Sequence, residues 1–215
     1  MTNTQQMWEQ LPEKVQASLI ECYRYTLVDE DWWRNVYDNF EASMEVHGIT
    51  VSKMYFSGFW SQGDGACFDG GVTDWGLFLM SFYQGPVPQH MVDTAIDEGL
   101  HFSCEHSGYY FHENSVNYTT SLYLGNPFDA DDDPVRHIAW AAVNGEYGYF
   151  ITLKDAFKEF FRYHMRRLYR ELEAEHDYLV SDETVREYIL DMQSEAVEEA
   201  WSIEEDQKAT TFAAC

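Results

Sequence analysis

Residues 49–71 read ITVSKMYFSGFWSQGDGACFDGG: a strand, a glycine turn and a second strand. Ile49, Val51, Lys53, Tyr55, Ser57 and Phe59 alternate onto one face of the first strand. Thr50, Ser52, Met54, Phe56 and Trp60 take the other, with Gly58 between them. Bulky groups on both faces predict a strand inside a sheet, covered on each side. Gly63-Asp64-Gly65 supplies the positive φ values of a tight hairpin. A phosphate loop also uses glycines, because its backbone N–H groups must approach the ligand. Here no lysine follows, and Asp64 opposes an anion.

Outward from the hairpin, helix signals flank it on both sides. Pro12 suits a first helical position, with Val15, Leu19 and Cys22 following at helical spacing. Asp29 is the expected N-cap of a second helix, whose stripe is Trp33, Val36, Tyr37, Phe40 and Met44 and which Gly48 ends. Thr73 or Asp74 caps a short helix, and His90 to Glu98 form another, closed by Gly99. Leu100–Gly108 and Tyr109–Leu124 read as strands, and 125–134 as a loop. A long helix follows from Leu153 to about Leu179, with Phe157, Phe161, Met165, Leu168 and Leu172 along one face. Ser181 caps a last helix with Val185, Ile189, Met192, Ala196 and Ala200 as its buried row, and the final ten or so residues are expected to fray. The fold class expected is α+β: an antiparallel sheet packed with helices and a C-terminal helical hairpin. The domains expected are a core over 1–152 and a helical hairpin with an acidic tail over 153–215.

The 215 residues are 45% apolar and 17% aromatic, enough for a packed core. No apolar run reaches the length of a membrane span, and MTNTQQMWEQL lacks the basic and apolar blocks of a signal peptide. Cys22, Cys67, Cys104 and Cys215 are scattered, as reduced thiols are. These features predict a cytoplasmic protein. The 38 acids against 13 bases leave a net charge of −25. Such a surface repels nucleic acid and anionic membranes and attracts a basic protein.

Three clusters bear on chemistry. Cys104 and His106 share a strand face and, with His112 and either His101 or Glu113, offer zinc ligands, though no paired ligand motif supports them. Asp129, Asp131 and Asp133 resemble the start of a calcium loop, but the sixth position is Pro134 and the twelfth Trp140, so an EF-hand is excluded. No cofactor is expected. Lys154, Lys158, Arg162, Arg166, Arg167 and Arg170 gather six of the 13 bases on one helix, four of them in an i+4 row. Residues 171–206 then hold 14 acids and one base. A basic ridge beside an acidic helix predicts pairing within the chain or across a homodimer, with phosphate binding as the sharper alternative. Glu187, Asp191, Glu195 and Glu199 recur every fourth residue, about 6 Å apart along a helix. Duplex DNA carries about one charge per 1.7 Å, so mimicry of DNA needs several acidic elements together. These four, with Asp129, Asp131, Asp132 and Asp133, are the expected partner-binding residues.

Tyr55–Phe68, YFSGFWSQGDGACF, resembles a motif recurrent in small phage and prophage accessory proteins, and Leu168–Glu183, LYRELEAEHDYLVSDE, is similar to a second motif of the same group. Order and separation also correspond, over about 30 residues. His176 departs from the pattern, which has an aromatic residue there, and the tail after Trp201 matches nothing in it. The resemblance implies a phage-related α+β protein of a class that includes defence inhibitors. It transfers no catalytic residues. The expected function is therefore inhibition of a basic host nucleoprotein complex, such as a CRISPR–Cas effector, by protein contact. The alternatives are an enzyme or ligand-binding protein with a Cys104/His106/His112 metal site, and an antitoxin-like neutraliser of one basic partner.

Overall fold

A computed structural model describes residues 3–29, 31–81, 89–97, 99–120 and 153–213. The expected loop 125–134, with Asp129, Asp131, Asp132 and Asp133, lies outside the described residues, as does the segment 137–152. The chain forms two units, residues 34–173 and residues 1–33 with 174–215. This differs from the division at 152/153, because the N-terminal helices cluster with the C-terminal ones instead of with the sheet.

After α1 (Asn3–Gln10) and α2 (Glu13–Tyr23), which belong to the smaller unit, the elements of the larger unit are α3 (Arg34–Glu45), β1 (Ile49–Phe56), β2 (Ala66–Val72), α4 (Trp75–Met80), α5 (Gln89–Asp97), β3 (Phe102–His106), β4 (Val116–Thr120) and most of α6 (Leu153–Leu179). The four strands form one antiparallel sheet in the order β1-β2-β3-β4, so the fold is α+β. Among the described residues β1 is thus an edge strand, not an interior one. A bulge between Val51 and Lys53 explains its two bulky faces. Before it, Ile49 and Val51 are buried; beyond it the parity switches, Phe56 meets Tyr37 of α3, and Tyr55 turns to Asp69. The hairpin is also wider than a tight turn: Phe56 pairs with Ala66 across the loop 57–65.

The helical period over 153–179 holds throughout. Phe157, Phe161, Met165, Leu168 and Leu172 are all fully buried. Phe161 stacks on Phe68 of β2 and meets Phe102 of β3 edge-on, placing the aromatic core between α6 and the sheet. Asp74 caps α4 by accepting from Leu77 N at 3.0 Å. Gly48, at φ +68°, closes α3 and its carbonyl accepts from Thr73 N and Asp74 N. Only glycine fits there, since a Cβ would lie 2.1 Å from Asp74 O. The expected strand 109–124 shrinks to Val116–Thr120, because 107–115 folds back on itself through Ser107 N to Ser115 O. Residues 121–124 lie outside the described residues.

In the smaller unit, which also holds the end of α6, the helices α1 (Asn3–Gln10), α2 (Glu13–Tyr23), α7 (Asp182–Met192) and α8 (Ser194–Ala213) enclose Trp8, Leu11, Val185, Ile189 and Val197. Pro12 sits one residue before its expected place, as the N-cap of α2. Asp29 ends a short 3-10 turn (Thr26–Val28) and does not begin α3; Asp31, at φ +46°, breaks helical continuity there. Ser181 caps α7, accepting from Thr184 N. The expected single last helix is broken at Gln193, so Met192 is exposed and Val197 joins the core instead of Ala196. α8 runs on to Ala213 where fraying was expected, in a stretch free of Gly and Pro. His176 is buried with its ring edge-on to Trp32 at 5.6 Å.

Candidate functional site

The carboxylates expected to bind a partner divide between two helices. Glu187 and Asp191 lie on α7, Glu195 and Glu199 on α8, and all four are exposed. The break at Gln193 interrupts the i+4 row, so it is two short rows and not one continuous ladder. The structure adds company for them. α1 contacts α8, and α2 and α8 each contact α7, so the acidic helices assemble in one unit. That unit holds 18 acids and four bases. Arg24 is tied within it, to Glu21 and to Asp182 at 2.8 Å each.

The basic ridge of α6 is satisfied largely from its own surroundings. Lys158 lies over the Tyr118 ring, Arg162 bonds Glu159 at 2.8 Å, and Arg167 donates to Ser43 Oγ and pairs with Glu171. Of Lys154 the structure describes only its place on the helix. Arg166 and Arg170 remain, one turn apart and exposed. They line a cleft of about 380 Å³ with Asp64, Gly65, His112, Glu113 and Tyr169.

This cleft is built from the 57–65 loop, the 107–115 loop and α6. Asp64 holds the first loop closed, its Oδ2 accepting from Trp60 N at 3.0 Å and Ser61 N at 2.7 Å. The two loops meet through glycine: a Cβ on Gly63 would lie 3.0 Å from the Tyr110 ring, and one on Gly65 would lie 2.9 Å from Phe111 O. Tyr169 Oη donates to Gly58 O at 3.3 Å, and its ring meets Phe59. Burial, then the charges of Glu173 and Asp64, raise the Tyr169 pKa and keep that donor protonated. The motif around Gly63-Asp64-Gly65 and the motif beginning Leu168-Tyr169-Arg170 therefore touch. Trp60, Tyr109 and Tyr110 stand exposed on the flanking loops. Both halves of this site are visible in the sequence; the residue joining them, Tyr169, is marked there only by its place in the second motif.

The cysteine–histidine set does not assemble. Cys104 is buried and its Sγ donates to Phe68 O. Burial raises its thiol pKa well above the ordinary range, and burial with the charge of Asp69 pushes Cys67 up to about 12. Both thiols are held protonated, the wrong state for a ligand or nucleophile. His106 Nε2 faces Tyr110 O and His112 Nδ1 faces Glu113 at 3.0 Å. Among the described residues no three His, Cys, Asp or Glu side chains gather as a metal site. Among them, too, no helix is long and apolar enough to cross a membrane.

No curated protein and no solved structure matches the chain. A family model described as a domain of unknown function does, over residues 32–182, a span that takes in the whole sheet, the cleft and α6. With more than half of its length inside that span, the chain belongs to the DUF8835 family.

Proposed function

We propose that this chain is a phage-encoded accessory protein of the host bacterial cytoplasm that acts by protein contact and catalyses no reaction. Its acidic helical unit occupies a basic groove that a host defence complex keeps for nucleic acid; a CRISPR–Cas effector is the kind of target meant. The observation that carries this reading is the segregation of charge: 18 acids and four bases in the unit of residues 1–33 and 174–215. One helix is too sparse to imitate a duplex, and the gathering of α1, α2, α7 and α8 raises the density of carboxylates. The phage origin rests on the two resemblance motifs.

The test is a pull-down from host lysate, followed by binding to the purified partner as salt is raised from about 0.05 to about 0.5 M, where screening shortens the reach of charge to a few ångströms. A nucleic-acid-binding complex whose affinity falls steeply with salt, and falls again for the Glu187→Gln/Asp191→Asn/Glu195→Gln/Glu199→Gln variant, supports the proposal. Salt-insensitive binding refutes it. Capture of one small basic toxin favours the antitoxin-like alternative instead.

A further inference from the structure

We propose that the cleft between the 57–65 loop and α6 binds the phosphate group of a small molecule, with Arg166 and Arg170 as its anion grips. In a chain with 38 acids and 13 bases, a guanidinium left without a carboxylate is a departure from what charge balance favours. Arg170 has no carboxylate partner among the described residues; its Nε donates to the Arg166 carbonyl, and the residue is exposed where it lines the cleft. Arg166 makes two long ion pairs, with Glu159 at 3.7 Å and Glu113 at 3.8 Å. Both of those carboxylates have nearer partners, Arg162 at 2.8 Å and His112 at 3.0 Å.

Arg170 is the cleft cation with no carboxylate among the described residues, while Arg166 is shared between two longer ion pairs. Asp64 accepts two backbone N–H groups of its own loop, and Glu113 is 16% exposed beside His112. Two planar guanidiniums one helical turn apart present enough donors to bracket one tetrahedral oxyanion. The volume, about 380 Å³, is that of a small-molecule site. The chain's net charge repels anions at long range, so recognition here depends on short charge-assisted bonds. This site lies wholly within residues 34–173 and is independent of the acidic helices.

Isothermal titration with inorganic phosphate and with adenosine monophosphate tests it, on the full chain and on Arg166→Ala, Arg170→Ala and Lys14→Ala. Both arginines are exposed, so each variant keeps the fold, which circular dichroism verifies. The full chain is expected to bind at least one of the two probes. Each arginine variant is expected to lose about tenfold in affinity, the size of one charge-assisted hydrogen bond. Lys14→Ala, which makes the same change of net charge elsewhere, leaves affinity unchanged. Tighter binding of the nucleotide than of phosphate assigns part of the ligand to the aromatic loops; equal binding assigns the site to phosphate alone. No binding of either probe at millimolar concentration, or equal losses in all three variants, overturns the proposal.

Discussion

Lowering the pH from 7 to 5 should destabilise the larger unit through one buried ring. His164 sits on α6 at 3% exposure, 4.5 Å from Phe160 and 5.1 Å from His47. Burial first, then the charge of Arg167 and then His47, lower its pKa from 6.5 to about 3. The unfolded chain therefore takes up a proton once pH falls below about 6.5, and the folded chain does not until near the lower value. Stability is full above the unfolded pKa and is lost as pH falls. One such histidine contributes about 1.4 kcal/mol per pH unit, or about 2 kcal/mol between pH 6.5 and 5. His47, lowered by burial and then by Arg167, adds in the same direction. Protonation of carboxylates in so acidic a chain relieves repulsion and acts against this trend, so the contrast is with His164→Leu, which cannot titrate. Urea denaturation at both pH values gives the difference. The parent chain should lose about 2 kcal/mol more than the variant over this interval. Equal pH dependence in the two proteins refutes the assignment of a neutral, buried His164.

Phe161→Ala removes a ring packed against Phe68 at 5.6 Å and Phe102 at 5.2 Å, and should cost about 3–5 kcal/mol by denaturant titration. A loss below about 1 kcal/mol would show that the core closes over the gap. Gly48→Ala forces a left-handed alanine, about 1–2 kcal/mol, and adds a clash with Asp74 O. A lower Tm is expected, and an unchanged one would mean that the turn relaxes without strain.

What is local in this fold is legible in the sequence. Asp74 and Ser181 cap helices because their side chains reach an amide three residues on, and the stripe of α6 follows from 3.6-residue periodicity. What depends on distant partners is not. The bulge at Val51/Lys53 comes from the ladder with β2, and it moves bulky residues from one face of β1 to the other, while the strand order puts β1 at the edge among the described residues. The alternation rule assumes an unbroken pleat, so it misassigns every residue past the extra one. The joining of α1 and α2 to α7 and α8 is likewise a contact across most of the chain. The cleft has the same history. Asp64 and Arg170 stand more than 100 residues apart, and only the packing of α6 on the sheet brings the GDG loop to the basic row.

The family span and the charge map divide this chain along nearly the same line. Residues 32–182 contain all of the unit built on the sheet, while most of α7 and all of α8, α1 and α2 fall outside. The helices outside hold most of the carboxylates of the acidic unit, and the cleft with Arg166 and Arg170 lies inside. The cleft thus lies on the part of the chain that the family model matches, and the acidic helices lie mostly on the part that it does not. Truncation cannot separate the two, since α6 runs without a break from one unit into the other. Exposed point substitutions can: Glu187→Gln and its three companions change charge without touching Val185 or Ile189, the buried side chains of α7. Loss of partner binding with intact anion binding, and the reverse for Arg170→Ala, would establish two separable functions on one chain, the first on α7 and α8 and the second on α6.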